Sequence, residues 1–215
     1  LLSQSDLETL SGLIKDARNI IVCCHKSPDG DAIGSSLAWA DYLRQVGKDP
    51  LVIVPDAFPD FLRWLPGVEK VMRYDKHTAL CNARMTEADL IFCLDFNATS
   101  RVDDMQQALD KATAQRVVFD HHLNPQINAR LLVSFPLMSS TCEIVFRIVW
   151  QLGGFDLLTR QAAVAVYCGM MTDTGGFTYN STRPEIYVII GHLLTKGFDK
   201  DKVYRKVYNN YSSWA

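Results

Sequence analysis

The chain has no apolar run long enough to cross a bilayer: the longest, Ala162 to Met171, covers about half of the roughly 20 residues that a span requires. It has no excess of either charge. With 22 Lys plus Arg against 24 Asp plus Glu and a net charge of −2, it lacks the basic footprint of a protein that coats nucleic acid. Any anionic ligand must therefore be held locally. No C-x-x-C pair occurs among the cysteines at 23, 24, 81, 93, 142 and 168, which argues against a zinc ribbon or a redox dithiol. Most of these cysteines lie inside apolar runs and read as small buried residues in a reducing compartment. Leu1 to Asp6 lack the basic and long apolar regions of a secretory signal, so a cytoplasmic location is the expectation. No internal repeat and no low-complexity linker occurs.

What is present is an alternation of short buried strands and helices. Ser5 to Glu8 form a capping-box pattern ahead of Leu7, Leu10 and Ile14, which predicts a helix to about Ala17. Asn19 to Cys24, Leu51 to Val54, Ala88 to Leu94 and Gln115 to Phe119 are continuous apolar runs of the kind found in strands buried on both faces, and Leu131 to Phe135 is a candidate fifth. Ile33, Leu37, Ala40 and Leu43 mark a helix that ends at Gly47, and Arg101 to Ala112 has helical spacing. Phe58 to Pro66 reads only as a short aromatic helix or turn. From Thr141 onward the pattern is helical: 141–152, 159–171, 184–196 and 199 to about 211. The fold class expected is α/β, a doubly wound, mainly parallel sheet flanked by helices, with a helical C-terminal part.

Three of the clearest strands end on ionisable residues: the first on His25, the third on Asp95, the fourth on Asp120, followed by His121 and His122. In open α/β sheets the ligand crevice lies outside the carboxyl ends of the strands, so these groups should converge. The loop His25 to Asp31 adds Asp29 and Asp31 around a Pro-Asp-Gly turn, and its small following residues leave the helix N-terminus open to close approach. Asp173 lies where an apolar helix breaks into Thr174-Gly175-Gly176; by itself it reads best as a C-terminal turn. The inventory His25, Asp29, Asp31, Asp95, His121 and Asp173 is rich in oxygen donors and free of thiolate, which favours Mn²⁺ or Mg²⁺ over structural zinc. Six such groups are too many for one catalytic ion and suit two ions about 4 Å apart.

His25-x-x-x-Asp29-x-Asp31, then Asp95, then Asp120-His121-His122, then Asp173 in a Thr-Asp-Thr-Gly context together resemble the four motifs of the DHH phosphoesterase superfamily, in order, from about Ile20 to Phe177. Pro28 to Ser35, the pair Asp95 and Arg101, and Thr172 to Phe177 are most similar to the branch that holds nanoRNase/pAp phosphatases and RecJ-like exonucleases, often described as exopolyphosphatase-related. The resemblance implies two divalent ions, Mn²⁺ first and Mg²⁺ as the alternative. His25 and Asp29 would hold one, Asp31, His121 and Asp173 the other, and Asp95 would bridge both. It also implies a catalytic role for His122 as proton donor or phosphate orienter, with Asp120 accepting from an imidazole N–H behind it.

Two further segments have two readings each. Ser139, Ser140 and Thr141 could offer a helix N-terminus to a substrate phosphate, or Ser140 to Glu143 could be a plain capping box. Arg101 could pair with a phosphate or with Asp103 or Asp104. His77 and His192 read as structural. The expected activity is hydrolysis of short oligonucleotides (nanoRNA, dinucleotides such as pApA) and of 3′-phosphoadenosine 5′-phosphate. The alternatives are a pyrophosphatase or exopolyphosphatase and a non-catalytic nucleotide sensor. The partner expected is a short single-stranded oligonucleotide or a nucleotide, with no long duplex and no membrane, and a homodimer stays open. Residues 1–198 are expected to form the catalytic domain and 199–215 the start of an interdomain linker helix. The Gly-Gly-Gly-His segment of the second domain carried by relatives does not occur in this chain.

Overall fold

The structure, a computed structural model, describes residues 1–209. A six-stranded sheet forms its middle layer, in the order β3-β2-β1-β4-β5-β6, with every neighbouring pair parallel. The strands are β1 (Ile20–Cys23), β2 (Leu51–Val54), β3 (Met72–Arg73), β4 (Leu90–Leu94), β5 (Gln115–Asp120) and β6 (Leu131–Ser134). All residues of β1 and β4 are buried, as continuous apolar runs in central parallel strands require. The expected doubly wound α/β class is therefore the observed one, and among these strands the sheet is wholly parallel.

The helices are α1 (Gln4–Asp16), α2 (Gly30–Gln45), α3 (Thr78–Glu87), α4 (Gln106–Lys111), α5 (Thr141–Gln151), α6 (Arg160–Asp173), α7 (Pro184–Leu194) and α8 (Lys200–Tyr208). The sheet divides two apolar cores. Trp39 of α2 sits against Phe92 and Phe119, at ring distances of 5.2 and 5.0 Å, in a core shared with α1, α5 and α6. On the other face Cys81 and Met85 of α3 and Leu109 of α4 meet Ile21, Ile91 and Val118. All six cysteines are free and buried, as read.

Close packing of α2, α5 and α6 depends on missing side chains. A Cβ at Gly34 would overlap the Ala165 carbonyl, one at Gly169 would overlap Cys142 Sγ, and one at Gly30 would overlap Thr172 Oγ1. These three contacts draw Asp31, the start of α5 and the end of α6 together. No described helix is long and apolar enough to cross a membrane.

Several expectations need correction. Ser3, accepting from Asp6 N–H at 3.1 Å, caps α1 in place of Ser5. β3 and α3 were not anticipated: β3 has two residues, and α3 buries only Cys81 and Met85, too few for an apolar period to show. Phe58 to Pro66 contains a single 3₁₀ turn, Asp60–Leu62. The helix expected at 101–112 is a 3₁₀ segment, Thr99–Met105, followed by α4. Asp103 breaks it at φ +48° and pairs with Lys26. α8 starts where expected, capped by Asp199, and buries Val203 and Val207; the part of the linker reading that falls on 210–215 lies outside the described residues.

Candidate metal centre

The strand order reverses between β1 and β4, and the residues that follow these two strands, His25 and Asp95, lie at that switch point. The loop after β1 is held by Asp56, whose carboxylate accepts from Ser27 N–H at 2.7 Å while Ser27 takes φ +51°. His25 Nδ1–H donates to the Lys26 carbonyl at 2.7 Å, because a carbonyl can only accept. Its Nε2 is thereby aimed at Asp95 Oδ2, 3.3 Å away, and Asp29 Oδ2, 3.9 Å away. Asp29 caps α2, with Oδ1 accepting from Asp31 N–H and Ala32 N–H at 2.9 Å each, so the turn-residue reading and the ligand reading use different oxygens of one carboxylate.

Asp95 terminates β4 in the left-handed region at φ +63°, a conformation open to Asp at some cost, and its N–H continues the ladder to the Phe119 carbonyl at 2.9 Å. The carboxylate is buried with its two oxygens facing different groups. Oδ2 faces His25, while Oδ1 is 3.6 Å from His121 Nε2. His121 Nδ1–H donates to the Met138 carbonyl at 3.2 Å, which sends Nε2 toward Asp173 Oδ2 at 3.2 Å and Asp31 Oδ2 at 3.7 Å. Both imidazoles thus have Nδ1 tied to a backbone carbonyl and Nε2 directed inward, the arrangement that orients metal-ligating histidines.

The electrostatics of this cluster call for cations. Burial and the charges of Asp95 and Asp173 push the Asp31 carboxyl well above the usual range. Burial opposes the His25 imidazolium, yet the bond to Asp95 and its charge outweigh that and lift His25 to about 9. His121, likewise opposed by burial, is lifted to about 10 by Asp173, Asp31 and Asp95. Burial would raise Asp95, but the His25 bond and the nearby imidazoles bring it down to about 2. The donor set fits divalent ions. His25, Asp29 and Asp95 each offer one atom within 4.8 Å of the others, and so do Asp31, His121 and Asp173. Burial and the Asp31 charge push the adjacent Cys142 thiol far up, and among the described residues no group placed to hold an ion includes a cysteine. Oxygen and imidazole donors without sulfur suit Mn²⁺ or Mg²⁺.

His122 is oriented differently from its neighbour. Its Nδ1–H donates to Asp120 Oδ1 at 2.7 Å, and its backbone N–H to Asp120 Oδ2 at 2.9 Å. The ring is 35% exposed and Asp120 is fully buried. A combination of Asp95, His121 and His122 also falls within metal-binding reach, but His122 Nδ1 is already committed to Asp120.

Ser140 and Thr141 are engaged within the protein. Both residues, with Ser139, are fully buried, and the N-terminus of α5 already holds a carboxyl group of the protein itself. Thr141 N–H donates to Asp31 Oδ2 at 2.6 Å and Cys142 N–H to Asp31 Oδ1 at 2.8 Å, while the Thr141 hydroxyl donates to Asp95 Oδ1 at 2.8 Å. Ser140 is the helix cap, accepting from Glu143 N–H at 3.0 Å. Arg101 is exposed and makes none of the described ion pairs; Asp103 is taken by Lys26. The Arg101 carbonyl accepts from Lys26 N–H at 2.8 Å, which seats it beside His25. His77 precedes α3, and His192 stacks on Trp150 at 4.6 Å, both away from the cluster.

The sequence reading missed two supports. Asn97 Nδ2 donates to the His122 and Leu123 carbonyls at 3.0 and 3.1 Å, tying the loops after β4 and β5. It follows a strand end, so the convergence argument applies to it as well. The Met138 carbonyl that holds His121 is backbone and has no side-chain signature. Its loop is pinned by buried Glu143, which accepts from Ser139 Oγ, Arg147 and Arg183 at 2.7 Å each.

Residues 19–170 match the DHH family, N-terminal domain. A solved exopolyphosphatase-related protein from Bacteroides fragilis has a TM-score of 0.97 at 46% identity, covering 99% of this chain and 63% of its own. The bifunctional oligoribonuclease and PAP phosphatase NrnA of Thermus thermophilus is 32% identical over 193 residues, 83% of this chain and 50% of the relative. The exonuclease RecJ, solved bound to manganese, has the same fold at a TM-score of 0.55 and 15% identity, over 96% of this chain and 56% of its own. The chain therefore spans between 50% and 63% of the length of these relatives.

Proposed function

The chain belongs to the DHH family, and from that premise we propose that it is the catalytic part of a two-metal phosphoesterase acting on short oligonucleotides and on 3′-phosphoadenosine 5′-phosphate. The observation that carries this reading is the convergence of Asp29, Asp31, Asp95 and Asp173 with two inward-facing imidazoles at the switch point of the sheet, with the two Asp95 oxygens facing opposite halves. In this reading His25, Asp29 and Asp95 hold one ion and Asp31, Asp95, His121 and Asp173 the other. Mn²⁺ is favoured by the donor chemistry, with Mg²⁺ as the alternative. Divalent ions held there supply Lewis acidity toward a phosphoryl oxygen and acidify water.

The chain's own residues do the rest. His122, oriented through Nδ1 by the buried Asp120 carboxylate, is the group that gives a proton to the leaving oxygen or orients the phosphate in this reading. Arg101, exposed and outside the described ion pairs, with its carbonyl bonded to Lys26 N–H in the loop after β1, is the candidate to meet a substrate phosphate in this reading. Residues 1–198 form the catalytic domain in this reading, and 199–215 begin the connection to a substrate-gripping domain.

The test is a substrate panel with Mn²⁺, run on the longest native protein that contains this chain: pApA, 3′-phosphoadenosine 5′-phosphate, cyclic di-adenosine monophosphate, pyrophosphate and long polyphosphate. Turnover of the first two above the others is expected, with loss in EDTA. Preference for pyrophosphate or polyphosphate would move the assignment to phosphoanhydrides, and full turnover in EDTA would remove the two-metal reading.

A further inference from the structure

The N-terminus of α5 reaches two carboxylates that arrive from different elements, Asp31 at the start of α2 and Asp95 at the end of β4, and one residue touches both. We propose that Thr141 is a positioning residue that divides the Asp95 carboxylate between the two halves of the metal centre. The inference rests on the two-ion reading above and adds to it a buried residue that acts through Asp95.

Thr141 is fully buried, so its hydroxyl has no solvent partner to exchange with. The hydroxyl donates to Asp95 Oδ1 at 2.8 Å, and the backbone N–H of the same residue donates to Asp31 Oδ2 at 2.6 Å. The terminal torsion of an Asp carboxylate is soft and roughly two-fold, so neither its backbone nor its χ1 fixes where the two oxygens point. A hydrogen bond to Oδ1 alone does fix it. With Oδ1 held by Thr141 on the His121 side, Oδ2 is left 3.3 Å from His25 Nε2. Rotation of the carboxylate would withdraw one oxygen from each half at once. Thr141 is itself immobilised by its branched side chain in the first turn of α5 and by the N–H bond to Asp31.

The two functions of Thr141 can be separated, because the bond to Asp31 uses backbone and the bond to Asp95 uses the hydroxyl. Thr141→Val removes only the second at nearly constant volume, and Thr141→Ser retains it. The readouts are Mn²⁺ binding by calorimetry, metal count by mass spectrometry, and kcat and KM on the preferred substrate. Wild type is expected to bind two ions. In Thr141→Val the weaker of the two is expected to lose about 10–100-fold in affinity, the scale of losing a group that orients a ligand. A fall in kcat should accompany it, with KM little changed and partial recovery in excess Mn²⁺. Thr141→Ser should regain most of the loss. If Thr141→Val does not fold, Thr141→Ala, which also lacks the hydroxyl and adds no bulk, takes its place.

Two ions in wild type with unchanged affinities and kcat in the hydroxyl-less variant would overturn the positioning role and leave the two-ion reading standing. A lowered melting temperature with unchanged metal affinities would do the same, since it would show a merely structural bond. Fewer than two ions in wild type would overturn the two-ion reading itself, and the role of Thr141 with it.

Discussion

The two groups of side chains proposed to hold the ions, the two halves of the centre in that reading, are built in opposite ways. His25 and Asp29 come from one short loop, and Asp29 stays 54% exposed. Asp31, His121 and Asp173 come from the start of α2, the end of β5 and the end of α6, and Asp31 is fully buried with both oxygens bound to the N-terminus of α5. A local half can be assembled by a turn and one anchoring carboxylate, Asp56. A non-local half needs three elements packed to within a glycine's width, so its geometry depends on the core. Asp95 faces both, with Oδ2 toward His25 and Oδ1 toward His121, and its left-handed backbone and buried carboxylate are where the two modes of construction meet.

Substituting the shared residue should erase the contrast and have the largest effect. Asp95→Ala is expected to lower the rate by more than the roughly 10²–10⁴-fold typical of losing one proton-transfer group, with bound Mn²⁺ falling below two per chain by mass spectrometry. Retention of both ions would show that Asp95 is not shared.

The adjacent histidines should fail differently. His122→Ala is expected to keep its metals and lose about 10²–10⁴-fold in kcat, as for a residue that acts through proton transfer. His121→Ala should lose affinity for one ion and regain part of its rate in excess Mn²⁺. Equal metal dependence and equal residual rate in the two variants would contradict the assignment of both.

A third effect concerns protons. With folded values of about 9 for His25 and about 10 for His121, both are imidazolium at neutral pH without metal, and an ion must displace their protons. Calorimetry at pH 7.5 in buffers of different ionisation heat should therefore report release of at least two protons as both halves fill, with affinity rising toward pH 9 to 10. Because both values are raised above the unfolded value of about 6.5, the stability they give the metal-free chain is complete below that pH and is lost as pH rises through 9 to 10. A metal-free melting temperature that climbs over this window would contradict it.

The smallest effect should separate the halves by packing alone. Gly169→Ala places a methyl against Cys142 Sγ and next to Asp31, at a cost of about 1–3 kcal/mol for overpacking. Thermal denaturation should show the loss, and metal titration should show the Asp31 side weakened more than the His25 side.

Legibility in the sequence follows the same divide. Strands buried on both faces are continuous apolar runs, so their ends at His25, Asp95 and Asp120 were visible, and the topology brings those ends together. Asp29 has two readings, as cap and as ligand; Oδ1 makes the cap and Oδ2 is left facing His25, so the two readings do not compete for one oxygen. The contact between Asp31 and the N-terminus of α5 spans 110 residues; only its capping box is local enough to read, so Ser140 and Thr141 have two readings in the sequence, as a cap and as a substrate-facing helix start, and the bonds to Asp31 and Asp95 belong to neither. Asp173 carries little signal by itself beyond its glycine turn, and it counts as a candidate only beside the other acidic and imidazole groups. β3, α3 and the break at Asp103 went unseen because short edge strands, sparsely buried helices and a single left-handed residue leave no period in the sequence.

The most direct test of the shared centre is anomalous diffraction from crystals of this chain soaked in Mn²⁺. Two peaks are predicted, one among His25, Asp29 and Asp95 and one among Asp31, Asp95, His121 and Asp173, with an Asp95 oxygen ligating each. A single peak, or two peaks of which one has no Asp95 oxygen in its coordination sphere, would contradict the account.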